Sequence, residues 1–159
     1  ESEITPANFP ALLYAAKAAR WPYRSPAGPE SLQVVVTPTT TVAGSPVTLT
    51  AVADDGRYDS NGWGSEPVQN VDAARYTVDA ASWSAGAVTH TMKPADGALD
   101  APVEAVQATV DTTGWAPGRH FIFVESRDSD GNWGVPGAVF LWIDAPEKVY
   151  LPMVMQAAD

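Results

Sequence analysis

The chain has 159 residues, nine basic and 19 acidic side chains for a net charge of −10, 45% apolar residues and no cysteine. That balance opposes tracking a phosphate backbone or an anionic membrane surface, and the lack of cysteine excludes a disulfide framework and a thiolate metal site. The longest apolar run, Ala138 to Ile143, is far too short to span a bilayer, so no nucleic-acid partner and no membrane span are expected. The first residues carry no basic, apolar and small-residue leader pattern.

Charge is unevenly placed. Residues 1–30 hold Glu1, Glu3 and Glu30 against Lys17, Arg20 and Arg24, so the remaining residues carry the whole deficit. Within the first part, Phe9, Leu12, Leu13, Ala16 and Ala19 recur at helical spacing, with Asn8 as N-cap and Pro10 in the first turn. Lys17 and Arg20 suit the C-terminal end of the dipole, and Pro22 stops the helix. Pro22, Pro26 and Pro29 then mark residues 22–30 as an extended linker. A helix this short is marginal alone, so its apolar face needs something to dock on.

After residue 30 the period changes to two. Leu32, Val34 and Val36 alternate with polar residues, as do Val47, Leu49, Ala51 and Ala53, and Ala74, Tyr76 and Val78. Val88–Met92 and Val106–Val110 read as weaker strands, and His120–Ser126 and Ala138–Ile143 as strong ones rich in aromatic and β-branched residues. Seven strands separated by Gly-, Pro- and Asp-rich turns predict an all-β fold over residues 31–145: an Ig-like or fibronectin III-like β-sandwich, with an eight-stranded jelly roll as the alternative. Residues 146–159 form a C-terminal tail.

The last two strands are apolar on both faces. Phe121 and Phe123 oppose Ile122 and Val124, and Phe140 and Trp142 oppose Val139, Leu141 and Ile143. Paired as a hairpin through Asp128–Gly134, they present Phe121, Phe123, Phe140 and Trp142 on an outer face that needs cover. The N-terminal helix with Trp21 and Tyr23 could fold back over it, or a neighbouring domain could dock there. The two are compatible if the helix belongs to that neighbour.

Ile4-Thr5-Pro6 followed by Phe9-Pro10-Ala11-Leu12-Leu13-Tyr14-Ala15-Ala16 resembles the end of the catalytic domain in zinc metallocarboxypeptidases of the carboxypeptidase A and T type. There an Ile-x-Pro segment leads into the last helix. Asp54-Asp55-Gly56-Arg57-Tyr58, Glu66-Pro67-Val68-Gln69-Asn70, Gly118-Arg119-His120 and Asp128-Ser129-Asp130-Gly131-Asn132-Trp133-Gly134 resemble the C-terminal β-sandwich behind such domains in secreted bacterial enzymes. Val149-Tyr150-Leu151-Pro152-Met153-Val154 is similar to tails on exported bacterial proteins. The resemblance implies that residues 1–21 are the terminal helix of an upstream catalytic domain, which would be this domain's partner, and that the protein is extracellular. The family's zinc needs a His-x-x-Glu pair and a distant histidine. Only His90 and His120 occur here, and neither has Glu three positions on, so zinc belongs to the catalytic domain and no catalytic residue is carried over.

Other enzyme signatures are missing too: there is no Gly-x-Ser-x-Gly elbow, phosphate-binding loop or dinucleotide fingerprint. Two sites remain as candidates. In an Ig-like sandwich the loop after the second strand and the loop between the last two share one end. Asp54, Asp55, Asp59, Asp128, Asp130 and Asn132 would then gather oxygen ligands for a structural calcium ion, unless they serve only as turn formers. Trp63 and Trp133 lie on the same loops. They would form a stacking platform for a polysaccharide or cell-surface ligand if exposed, or plug the end of the sandwich if turned inward.

Overall fold

The structure, a computed structural model, describes residues 28–56 and 67–146. The expected helix over residues 9–20, most of the proline linker and the tail from residue 147 lie outside the described residues. Among the described residues there is no helix.

Nine strands form: β1 (Glu30–Thr37), β2 (Thr40–Val42), β3 (Val47–Asp54), β4 (Val71–Val78), β5 (His90–Thr91), β6 (Lys93–Pro94), β7 (Val103–Val110), β8 (Gly118–Asp128) and β9 (Gly137–Asp144). They make a four-stranded sheet A in the order β1-β3-β7-β6 and a five-stranded sheet B in the order β2-β9-β8-β4-β5. Neighbouring strands run antiparallel except β2, which lies parallel to β9 with Thr40 opposite Trp142. Sheet A thus has the A-B-E-D order of the immunoglobulin sandwich, and β4, β8 and β9 are its C, F and G strands. The strand order sets aside the jelly-roll alternative.

The core lies between the sheets. Leu49, Ile122, Val124, Leu141 and Ile143 are fully buried, joined by Val36, Val47, Val106, Val110, Tyr76 and Met92. Each large side chain buried this way contributes about 1.5–3 kcal/mol, and no disulfide supplements them. β3 shows the period cleanly: Val47, Leu49, Ala51 and Ala53 are all buried, with Thr48 and Thr50 exposed between them.

β1 departs from its expected alternation. Gln33 adopts φ 48° and the register with β3 shifts between Leu32 and Val35. This bulge reverses the phase of the strand, so Ser31 and Val36 face inward and Leu32 and Val34 are only partly buried. Ser31 Oγ is hydrogen-bonded to Ser126 Oγ at 3.0 Å, tying the start of β1 to β8 in the other sheet.

The chain enters β1 against the β8–β9 hairpin. A Cβ at Gly28 would collide with the backbone of Asn132–Gly134, and one at Gly134 with the carbonyl of Pro29. Only glycine permits that crossing. The amide of Ser31 then donates to Val135 O at 2.9 Å.

Candidate functional site

The two acidic loops share one end of the sandwich. The amide of Ser129 donates to Asn70 O at 2.9 Å, linking the loop after β8 to the segment before β4. Three of the carboxylates there already accept N–H donors. Asp54 Oδ1 accepts the Gly56 amide at 3.0 Å, and Asp55 Oδ2 accepts the Gln69 amide at 2.6 Å. The fully buried Asp128 accepts the Asn132 amide on Oδ1 at 2.8 Å and the Asn132 side-chain amide on Oδ2 at 2.9 Å. Burial holds the Asp55 carboxyl above its usual range; the Gln69 amide pulls it down, while Asp128, Asp54 and Asp130 push it further up.

Asp54, Asp128 and Asp130, three of the residues expected to bind calcium, therefore act electrostatically on a fourth, Asp55, and Asn132 is bonded to Asp128. Asp59 lies outside the described residues. A cation would have to compete with the N–H donors already held by Asp55 and Asp128. Among the described residues no group of three or more His, Asp or Glu side chains is disposed to hold a metal ion.

Trp63 also lies outside the described residues. Trp133 is half-buried against the hairpin and does not stand clear as a platform. The guanidinium of Arg75 lies 3.6 Å from the centroid of its ring, and that of Arg127 lies 5.6 Å away. Arg75 in turn directs Nε and Nη2 to a single oxygen, Glu125 Oε2, at 3.0 and 2.7 Å, and Ser82 Oγ reaches the same oxygen at 2.7 Å. Arg127 grips both oxygens of Asp72 at 2.8 and 2.9 Å.

Among the described residues, the outer face of sheet B carries three exposed aromatic side chains. Alternation along β8 and β9 sends Ile122, Val124, Leu141 and Ile143 into the core and Phe121, Phe123, Phe140 and Trp142 outward. The register sets Phe121 opposite Phe140, Arg119 opposite Trp142 and Phe123 opposite Ala138. Phe121, Phe140 and Trp142 are 41%, 55% and 48% exposed. The Phe121 and Phe123 rings stack with centroids 6.4 Å apart, and the Arg119 guanidinium sits 5.0 Å from Phe121 and 6.0 Å from Phe140.

Trp83 is also exposed, on the turn after β4. It lines a shallow depression with Phe123, Glu125 and Arg75. It belongs to a turn with no strand period to mark its direction.

The histidines are far apart in role as well as sequence. His90 is exposed and stacks on Tyr76 at 4.8 Å. His120 Nδ1 meets Asp79 Oδ2 at 2.6 Å and Nε2 meets Ala116 O at 2.8 Å, with Trp115 tilted against the ring. Both ring nitrogens face acceptors, so the arrangement fits the doubly protonated imidazolium. Burial alone would lower the pKa of His120, but the Ala116 carbonyl and Asp79 outweigh it and raise it.

An open cleft of about 550 Å³ runs along sheet A beside Tyr76, Lys93, Gln107 and Thr109. Its lining residues include no carboxylate or imidazole. Among the described residues no helix is long and apolar enough to cross a membrane.

The geometry defines an Ig-like β-sandwich with an acidic loop end and an aromatic sheet face. No family model matches the sequence, and no curated protein matches it. Among solved structures, the chain is similar to the DNA glycosylase AlkC of Pseudomonas fluorescens bound to abasic-site DNA, with 16% identity and a TM-score of 0.47 over 74% of this chain. It spans only 30% of that protein. It is also similar to the PKD domain of an M14-like peptidase from Thermoplasmatales archaeon SCGC AB-540-F20, with 14% identity and a TM-score of 0.44 over 76% of this chain and 100% of that one. The fibronectin III-like modules of Clostridium thermocellum CbhA give 16% identity and a TM-score of 0.38 over 70% and 97%. These likenesses are distant, and the assignment to the Ig-like class rests on the strand order of this chain.

Proposed function

We propose that the chain is a non-catalytic accessory domain of a secreted zinc carboxypeptidase, which it stabilises, spaces or targets. The observation that carries the accessory role is the outer face of sheet B. Phe121, Phe140 and Trp142 stand exposed together on a face that folding leaves uncovered. A contiguous aromatic face of this kind marks an interaction surface, since isolated soluble domains rarely leave one open. The parentage is supported by the resemblance of Ile4–Ala16 to the end of a carboxypeptidase catalytic domain.

The test is the intact mass and N-terminal sequence of the protein isolated from its native source. A much heavier chain, continuing upstream through a His-x-x-Glu segment, is expected. A native chain beginning near Glu1 overturns the parentage. The second reading, a polysaccharide- or surface-binding module, has support in Phe140 and Trp142 at alternate positions of β9, where neighbouring aromatic rings could stack on sugar rings. Retention on insoluble polysaccharide that is lost in Trp142→Ala would favour it.

A further inference from the structure

Sheet A has an open place on its edge, and its surroundings fit one kind of guest. We propose that the cleft beside β7 captures the C-terminal end of an extended peptide, paired as an added strand with Thr109 and held at its carboxylate by Lys93. This goes beyond the accessory-domain reading and does not depend on it.

The place is open because the chain turns away from it. β6 pairs with β7 through Lys93 opposite Gln107 and Pro94 opposite Val106, and the Ala95 amide donates to Ala105 O at 2.8 Å. Continued backward, that register would set Thr91 opposite Thr109. Instead Thr91 pairs with Arg75 in sheet B, and the Met92 amide donates to Ala74 O at 2.9 Å. Backbone groups facing one edge of an antiparallel strand recur at every second residue. Ala105 and Gln107 face β6, so Thr109 turns its N–H and C=O to the same edge, where no strand meets them among the described residues. The cleft of about 550 Å³ opens there, lined by Ala108 and Thr109. Such an edge binds a peptide by main-chain hydrogen bonds.

The cleft also holds a polar group that the fold leaves unused. Tyr76 is 6% exposed, with its ring packed in the core and stacked on His90. It lines the cleft, and its hydroxyl has no hydrogen-bond partner among the described residues. A buried phenol usually has one, so this hydroxyl is fixed in position and free to bond a guest.

Charge sets the direction of that guest. Lys93 is the one lysine among the described residues and forms no ion pair there, whereas Arg75 and Arg127 are each paired with a carboxylate. Asp111 lies just past the other end of the open place; after burial, it is the second cause that raises the pKa of Tyr76. A peptide running antiparallel to β7, as β6 does, points its C-terminus at Lys93 and its upstream part toward Asp111. The reverse direction sets carboxylate against carboxylate. Lys93 also fills the next position along the edge, so a guest running this way ends there, on the group that a free ammonium complements. Ala108 to Val110 gives it room for about three residues, roughly 10 Å.

The test uses the full 159-residue chain and fluorescence polarisation. The probe is a pentapeptide of alternating valine and serine, labelled with fluorescein at its N-terminus and carrying a free C-terminal carboxylate; its C-terminal amide is the control. The free acid is expected to bind saturably, and the amide about tenfold or more weakly. Lys93→Gln should bring acid and amide to the same affinity. Tyr76→Phe should weaken the acid severalfold while the urea midpoint stays in place, because the hydroxyl bonds nothing in the fold. Thr109→Pro removes the edge N–H, which points away from β3, and should abolish binding, whereas Thr109→Val should retain it. If the proline shifts the midpoint, Lys93→Gln and Tyr76→Phe decide the matter. No saturable binding of the free acid at millimolar concentration overturns the proposal, as do equal affinities for acid and amide in the wild type. Binding that is lost in Phe140→Ala and kept in Lys93→Gln also overturns it, because the peptide then sits on the aromatic face. So does binding of oligogalacturonate but not of the peptide, which would assign the cleft to an acidic sugar. None of these outcomes bears on the parentage, which the native mass decides.

Discussion

Arg75 and Arg127 flank the same tryptophan and each pairs with one carboxylate, yet removing them should have very different consequences. Arg127 has the better geometry, two parallel bonds to the two oxygens of Asp72, but both side chains are more than a third exposed. Arg75 converges on one oxygen of Glu125, whose side chain is only 10% exposed. Surface pairs gain little because water solvates both partners once the pair is broken. A buried carboxylate stripped of its cation keeps its desolvation cost, and such losses run to about 3–5 kcal/mol. Here Ser82 still donates to Glu125 and Arg75 is itself 28% exposed, so water can partly replace it. Arg75→Ala should therefore cost about 2–3 kcal/mol, including the lost stacking on Trp133. At the urea sensitivity usual for a small domain, that lowers the midpoint by about 1 M. Arg127→Ala should leave it close to wild type. Adding Glu125→Gln to Arg75→Ala should recover part of the loss, because the uncharged amide no longer demands a counter-ion. Equal losses in the two arginine variants, or no recovery with Glu125→Gln, would refute the argument that burial outweighs bonding geometry.

Three further outcomes are expected. His120 has a raised pKa in the folded state, so its contribution is fully present below the unfolded value near 6.5 and is lost as pH rises through the folded value. The melting temperature of the wild type should fall between pH 6 and pH 8 relative to His120→Gln; parallel curves would deny the imidazolium bridge. Asp55 is also raised, by burial first and its acidic neighbours after, so ionising it weakens the fold as pH climbs above the carboxylate range. Asp55→Asn keeps an acceptor for the Gln69 amide and should raise the unfolding midpoint at pH 7 but not at pH 3, as read by denaturant titration. Gly134→Ala drives a methyl into the Pro29 carbonyl, a clash between two backbones that cannot step aside. It should destabilise by about 1–3 kcal/mol, measured the same way, whereas an unchanged midpoint would mean the crossing is loose.

The parts of the fold that could be read from the sequence are those with enough residues to show a period. β3, β8 and β9 declare their inward faces through runs of eight or more residues. β2 and β6, with three and two residues, are too short to show any alternation, and they form because longer partners offer free backbone groups. The bulge at Gln33 was hidden for a different reason: Leu32, Val34 and Val36 alternate in sequence, but a left-handed residue between them reverses the side they face. At the candidate sites, the meeting of the Asp54–Asp55 and Asp128–Asp130 loops followed from topology. The Arg75–Glu125–Ser82 cluster did not, because its members are 50 and 43 residues apart. Its one signal was Arg75 and Glu125 standing next to the apolar runs of β4 and β8.

The two outer faces of the sandwich make the case that the aromatic one is built for contact. Sheet A turns Thr48 and Thr50 on β3 and Gln107 on β7 to solvent, beside Ala105 and the exposed Val35 and Val103, and none of these is aromatic. The same core would be satisfied by a sheet B with no aromatic outer face, because Ile122, Val124, Leu141 and Ile143 are already fully buried on the inner side. Phe121, Phe140 and Trp142 therefore add nothing that the isolated sandwich requires, and exposed rings carry a standing cost in association. A fold that gathers its exposed aromatic rings on one outer face separates the groups that make it stable from the groups that make it bind. The first set can be tested by unfolding and the second by accessibility, and substitutions on the outer face of sheet B should change the second while leaving the first intact.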